Sequence, residues 1–348
     1  MSPRVVMVTG VSRYLGGRLA QALAADPSIE RVIGVDSVPP SRTGHGGIGR
    51  TEFVRADIRS PLIAKVIAAA GVDTVVHMNI SSTPASDGGR IPMKELNVLG
   101  TMQLLAACQK SQTIRRLVVK STSAVYGASP RDPALFTEDM QPKSVPGSGF
   151  AKDATEIEAY VRGFGRRRPD VAVSVLRFSN FIGPKIDSIL TSYFALPVVP
   201  TVLGYDARLQ LVHEDDAVEL LRRVSISEDT DVQGITNVAG DGVLLLSQAI
   251  RRAGRLSVPV LPPAAKFVGR VVRRLGLADF SPEQMRFLNF GRVMDVSHMK
   301  NVLGFEPRYT TAEAFADYVH GRGLEPTPAH RIVERGLSGR ATHARAHA

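Results

Sequence analysis

Residues 5–26 read VVMVTGVSRYLGGRLAQALAAD. Val5–Thr9 is a short apolar, β-branched run of the kind that forms a strand buried on both faces. Gly10 breaks it. Gly16 and Gly17 then open a stretch, residues 16–26, whose apolar residues recur at helical spacing. A strand that turns on glycine directly into a helix aims backbone amides and a helix N-terminus at one point, where a phosphate can sit. Gly10 serves the tight turn, and Gly16 lets the helix pack close to the sheet. Asp36 closes the next apolar run, RVIGVD, 20 residues past Gly16. An acid at that offset accepts hydrogen bonds from ribose hydroxyls and repels a 2′-phosphate, so the pattern favours NAD over NADP. The competing reading is a tight strand–helix turn that holds no ligand.

Outward from this unit the alternation continues. Strands are expected at 31–36, 52–57, 72–78, 115–122 and 171–178, with helices at 61–71, 94–110 and 151–165. Strands separated by helices of this length imply a parallel sheet covered on both faces. After Asn180 the rhythm breaks into prolines and short mixed segments, with later pieces at 208–224 and a last helix near 311–320. The expected architecture is therefore α/β, a Rossmann-type doubly wound parallel sheet with a smaller, discontinuous C-terminal substrate lobe. Residues 1–178 form the dinucleotide domain, with a segment returning near 208–240. Residues 179–325 form the second wall of a cleft, and 326–348 a basic tail expected to be disordered. No repeat of fixed period is present.

Composition excludes several classes. Apolar residues make up 44% and charged residues 22%, an ordinary globular balance. The most apolar stretch, SYFALPVVPTVLGY (192–205), is short and broken by Pro197 and Pro200, so no membrane span is expected. The N-terminus enters a strand almost at once and leaves no room for a signal peptide. The single cysteine, Cys108, reads as a small buried hydrophobe and fits a reducing, cytoplasmic setting. The formal net charge of +10 favours anionic partners. Much of it lies in the tail and in Arg166–Arg168, read as a solvated helix end. No aromatic residues interleave these clusters, so nucleic acid is not an expected partner. No His/Cys cluster has metal-ligand spacing.

Several spaced motifs, in order over about residues 4–320, carry a resemblance. Thr9-Gly10-Val11-Ser12-Arg13-Tyr14-Leu15-Gly16 is similar to TGxxGxxG, and Asp57-Ile58 to an acid–apolar pair that contacts adenine. Asn97, Gly100 and Thr101 match NxxGT. Residues 121–127 match S[ST]xxVYG, residues 176–184 LRxxNxxGP, and LVHEDD (211–216) FVHVDD. The chain resembles the extended short-chain dehydrogenase/reductases, the NAD-dependent epimerase/dehydratase family that includes UDP-glucose 4-epimerase. The resemblance implies an NAD cofactor held by Gly10, Arg13, Tyr14, Leu15, Gly16, Asp36, Asp57, Ile58 and Asn97. It also implies a nucleotide-sugar ligand and a homodimer formed through helices flanking the sheet.

Two departures bear on function. Arg13 replaces the middle glycine of the first motif; it either pairs a phosphate or points to solvent and weakens binding. The family's catalytic YxxxK puts a tyrosine acid/base and the lysine that tunes it on one helix face. Here Phe150 and Ala154 stand in those places, and neither transfers a proton. Thr122 keeps the family's hydroxyl, an orienting group at best without the other two. Lys120 shares a strand face with Thr122; it needs a carboxylate partner or else reaches the site, as a structural lysine or a relocated catalytic one. His77 reads as a strand-end packing residue and His213 as structural or ribose-side. The readings are thus a nucleotide-binding member that has lost the hydride shuttle, a sensor or scaffold; a nucleotide-sugar enzyme with an altered acid/base set; and, on the basic tail alone, a nucleic-acid or membrane-surface protein.

Overall fold

The computed structural model describes residues 5–40, 48–80, 93–141, 149–228, 232–261, 282–324 and 326. The tail, Pro326 apart, lies outside the described residues. Six strands follow the expected rhythm: β1 (Val5–Thr9), β2 (Arg31–Asp36), β3 (Glu52–Arg55), β4 (Thr74–His77), β5 (Arg116–Thr122) and β6 (Ala172–Phe178). After β6 come β7 (Asn180–Ile182), β8 (Val198–Val202), β9 (Arg208–Leu209) and β10 (Leu211–His213), which pair outside the first sheet, before β11 (Gly234–Val238) returns to it. That sheet has seven strands in the order β3-β2-β1-β4-β5-β6-β11, and every pairing is parallel. The direction of winding reverses between β1 and β4, which opens a crevice at their carboxyl ends.

Alternation along the strands divides the core in two. Val6, Val8, Val76, Val118 and Leu176 face helix α1 (Tyr14–Ala25) and the helix Glu214–Ile226 through Leu19, Leu23, Leu220 and Leu221. Met7, Val75, Leu117, Val119 and Val175 face the helices Leu62–Ala70, Gly100–Lys110 and Gly149–Arg167. Cys108 is buried in this second layer, and burial pushes its thiol up to about 12, so it is the inert hydrophobe expected. A third cluster, with Tyr193, Phe194, Leu209, Leu211, Phe315 and Tyr318, builds the smaller lobe.

Two local features differ from the expectation. The helix over 94–110 is interrupted by a π turn, Glu95–Leu99, where Thr101 Oγ1 donates back to the Asn97 carbonyl at 2.5 Å. The arginine triplet also divides. Arg166 and Arg167 are exposed, but Arg168 folds back to donate to the Cys108 and Ser111 carbonyls at 3.0 and 2.8 Å and pairs with Asp170. It closes the C-terminal end of a neighbouring helix rather than facing solvent alone.

Leu19 is fully buried between the sheet and the helix Glu214–Ile226. Leu19→Ala is expected to cost about 2–5 kcal/mol of stability. Urea unfolding measures it, as a lower midpoint at unchanged slope.

Candidate functional site

The crevice begins at the glycine turn. Gly10 has φ +77°, and its amide donates to the Val35 carbonyl at 2.9 Å. A Cβ on Gly16 would lie 2.1 Å from the Gly10 carbonyl oxygen, and one on Gly10 3.2 Å from the backbone of Asn79. The start of α1, the end of β1 and the end of β4 are therefore in backbone contact, which side chains at these two glycines would prevent. Arg13 is the half-buried N-cap residue of α1 and makes no side-chain cap bond. Burial lowers its pKa, and Asp36 partly offsets this. The Asp36 carboxylate accepts the amides of Ser12 at 3.1 Å and Ser37 at 2.8 Å. Leu15 turns its side chain into the core, so its backbone amide in the first turn is what it can offer a ligand. Tyr14 is committed elsewhere: its hydroxyl donates to Glu214 Oε1 at 2.6 Å, and burial and that carboxylate hold its pKa above the ordinary range. Glu214 is buried and also accepts the Ile186 amide at 2.8 Å, which joins α1 to the start of the second lobe.

Across the turn, buried His77 ends β4. Its Nδ1 lies 2.9 Å from Thr9 Oγ1 and its Nε2 2.9 Å from Thr101 Oγ1. Thr101 donates to the Asn97 carbonyl, so Nε2–H donates to Thr101, and the Thr9 hydroxyl donates to Nδ1. This is a chain for a neutral imidazole. Burial, with Lys120 nearby, pushes the His77 pKa down to about 3. His77 is the packing residue expected. Asn97 is fully buried in the π turn. A Cβ on Gly100 would come within 2.6 Å of Ile58, so this helix sits hard against the buried Ile58 side chain. The Asp57 carboxylate is engaged by the Arg59 guanidinium at 2.6 Å, which lowers its pKa.

The positions expected to carry catalysis lie at the end of β5 and on the helix packed beside it. Thr122 is half-buried and caps the turn Ser123–Tyr126, its Oγ1 accepting the Ala124 amide at 3.2 Å. The helix Gly149–Arg167 packs on that turn. Phe150 is half-buried against the second core layer. Ala154 is 1% exposed, in a closed apolar cluster with Val125, Tyr126, Phe136, Ala239 and Met294. Apolar neighbours pack around the short side chain.

Of the two expectations for Lys120, the carboxylate partner is not met. Its Nζ donates to the Ile80 carbonyl at 2.7 Å, beside the glycine turn, and among the described residues no carboxylate lies within ion-pair distance. His213 is structural. It caps the helix Glu214–Ile226 by accepting the Asp215 amide at 3.1 Å, and its Nε2 lies 3.0 Å from Asp317.

Sequence reasoning missed two buried cations. Arg177, from LRxxNxxGP, pairs with Glu158 at 2.7 Å and donates to the Tyr126 hydroxyl at 2.8 Å; Ser121 donates to Glu158 at 2.6 Å and Tyr126 to Asn237 at 2.7 Å. Glu158 lies four residues past Ala154, on the Phe150 face of the helix, and that spacing was the available clue. Arg292 is buried behind the same turn, donating to the Gly127 carbonyl at 2.6 Å and Ser123 Oγ at 3.0 Å. Burial pushes its pKa down to about 10, against the pull of Glu283 and Asp132. No pattern marks it in the sequence. Among the described residues, no three His, Cys, Asp or Glu are placed to hold a metal.

Residues 6–239 match the model of the NAD dependent epimerase/dehydratase family. A Mycobacterium tuberculosis (strain H37Rv) protein described as uncharacterized is 51% identical over 340 residues, 97% of this chain and 89% of that one. Two solved structures share the fold. The dTDP-glucose 4,6-dehydratase of Bacillus anthracis, in complex with NAD, has a TM-score of 0.68 at 20% identity, covering 92% of this chain and 96% of its own. The UDP-glucuronic acid 4-epimerase of Bacillus cereus, in complex with UDP-glucuronic acid and NAD, has a TM-score of 0.68 at 18% identity, covering 92% and 100%.

The closed cluster around Ala154 sets a testable limit. Ala154→Lys is expected to lower the melting temperature, because overpacking alone costs about 1–3 kcal/mol and burying the amine adds to it. Phe150→Tyr, at a half-buried site, is expected to melt close to the parent. Circular dichroism melts compare them, and an unshifted melt for Ala154→Lys would show that the site has room for a lysine.

Proposed function

Because the chain belongs to the NAD dependent epimerase/dehydratase family, we propose that it binds NAD(H) at the glycine turn and has lost the family's standard hydride shuttle, leaving a binding, sensing or otherwise atypical role. One observation carries this reading. The backbone cradle of Gly10 and Gly16 is intact, with Asp36 beside it, while the helix face that resembles the catalytic one presents Phe150 and Ala154. The cradle fits a dinucleotide because Cβ atoms at either glycine would close it. Gly10, Gly16 and the amides of the first turn would hold the phosphates, and Asp36 the adenosine ribose. Asp57, Ile58 and Asn97 belong to the adenine side in this reading.

A dinucleotide supplies a hydride acceptor and donor when bound. The chain's own residues offer little to move the accompanying proton. Phe150 is apolar, Ala154 carries no cation, and the Thr122 hydroxyl already accepts the Ala124 amide. Thr122 orients a ligand oxygen; it does not titrate near neutrality. The ligand class that the family points to is a nucleotide sugar, bound between residues 1–178 with their returning segment and the lobe of residues 179–325. A homodimer and a cytoplasmic setting complete the proposal. No described helix is long and apolar enough to cross a membrane.

The alternative is an active nucleotide-sugar epimerase or dehydratase with a relocated acid/base. Lys120 favours it, because burial and the nearby Arg13 bring its amine down to about 7, within reach of proton exchange at neutral pH. Turnover separates the two readings. UDP-galactose epimerisation is expected to be absent or very slow, since general acid–base catalysis alone is worth about 10²–10⁴-fold. Robust turnover by the unmodified protein would sink the binding reading and turn attention to Lys120.

Cofactor preference gives a second test. Calorimetry is expected to show tighter binding of NAD(H) than NADP(H), because the Asp36 carboxylate faces the position of a 2′-phosphate. Tighter NADP(H) binding would remove Asp36 from this role.

A further inference from the structure

Two cations lie near the glycine turn, and the charge of one acts on the other. Arg13 stands at the N-cap of α1, where the family's motif has a glycine. Lys120 comes from β5, half-buried, with Nζ on the Ile80 carbonyl at 2.7 Å and 5.9 Å from the centre of the Phe181 ring. Gly10 touches Asn79, so the Ile80 carbonyl belongs to the segment that backs the turn. Among the described residues no carboxylate balances Lys120, and the positive charge of Arg13 acts on it. A half-buried amine under the influence of a second cation, with a carbonyl and a ring face but no carboxylate beside it among the described residues, is unfavourable in the free protein and becomes favourable beside an anion.

We propose that Arg13 and Lys120 form a two-cation clamp for the diphosphate of the bound dinucleotide, which makes Lys120 a binding residue and not a proton-transfer residue. This rests on the reading above that the crevice takes a dinucleotide. The middle glycine of the family's motif lets cofactor phosphate approach the backbone, and a side chain at that position obstructs the approach. Charge-assisted bonds from two side chains compensate for the contact so lost.

The clamp has a pH signature. Among the described residues, the charged and titratable groups that interact electrostatically with Lys120 are Arg13, from the glycine turn, and His77, from β4. His77 is held neutral, so it adds no charge. Burial and Arg13 hold the Lys120 amine near 7, and a neighbouring diphosphate raises it again. A group whose pKa rises on binding takes up a proton, and its contribution fades as pH climbs from the free value toward the bound one.

Calorimetry on the full chain tests this with NAD, ADP and adenosine, each in two buffers of different ionisation heat at mildly alkaline pH. Proton uptake is expected with NAD and ADP and not with adenosine. Lys120→Met is expected to bind NAD about ten- to a hundredfold more weakly, without proton uptake. Lys120→Arg, protonated throughout, should bind with no uptake. Arg13→Gly should take up less, because the amine then keeps its own proton. Should Lys120→Met not fold, Lys120→Arg decides, and uptake that persists in it overturns the clamp. Wild-type affinity and uptake in Lys120→Met would overturn the clamp alone. Absence of NAD and ADP binding in the unmodified protein would overturn the dinucleotide reading and the clamp with it.

Discussion

The contact between Gly16 and the Gly10 carbonyl sets the geometry on which the rest depends. A Cβ at Gly16 would stand 2.1 Å from that oxygen, well inside any van der Waals distance. With hydrogen there, α1 starts directly over the end of β1. From that start Leu19 and Leu23 reach the first core layer and meet the helix Glu214–Ile226. Tyr14 and Arg18, one turn apart, reach Glu214 and Asp215 at the head of that helix. Glu214 in turn accepts the Ile186 amide and fills the space against Gly183. One close approach in the first lobe thus sets where the second lobe begins.

Electrostatics around the crevice follow the same economy. Two chains of buried polar groups run beside the crevice: Thr9–His77–Thr101–Asn97 on one side, Ser121–Glu158–Arg177–Tyr126–Asn237 on the other. The second chain contains a full ion pair inside the core. Burial pulls the Arg177 pKa down, but Glu158 and Tyr126 outweigh it, so the guanidinium stays charged. Removing one member of such a pair strands the other, which is costly, whereas the intact pair adds little net stability. Its role is positional: it ties the helix bearing Phe150 and Ala154 to β6 and to the turn after β5. Lys120 and Arg292 differ from this pattern, since among the described residues their hydrogen bonds go to carbonyls and a hydroxyl and not to carboxylates.

The site therefore contrasts two kinds of change. Around the phosphate position, backbone geometry is kept and side-chain charge is added. On the proposed reading, the helix face that resembles the catalytic one carries the apolar Phe150 and Ala154. A helix face can carry Phe150 and Ala154 without disturbing the fold because Glu158, a turn further on, supplies the polar anchor.

The sequence by itself determined the strand–helix alternation, the parallel sheet and the glycine turn. These follow from local periodicity and from the conformational freedom of glycine, which any reader of the chain can see. It also placed Asp36 beside the turn, Thr122 at the end of β5, His77 and Cys108 in packing roles, and Phe150 and Ala154 on one helix. Tertiary structure alone decided what the charged residues do. Arg168 closes a helix 60 residues away, Tyr14 is committed to a carboxylate 200 residues away, and Arg292 lies buried behind a turn formed by residues 123–126. Lys120 illustrates the reason. Strand alternation gave its face, but its partner depends on which strand lies beside β5 and where that strand ends. Long side chains find their partners across the fold, and no spacing along the chain encodes that distance.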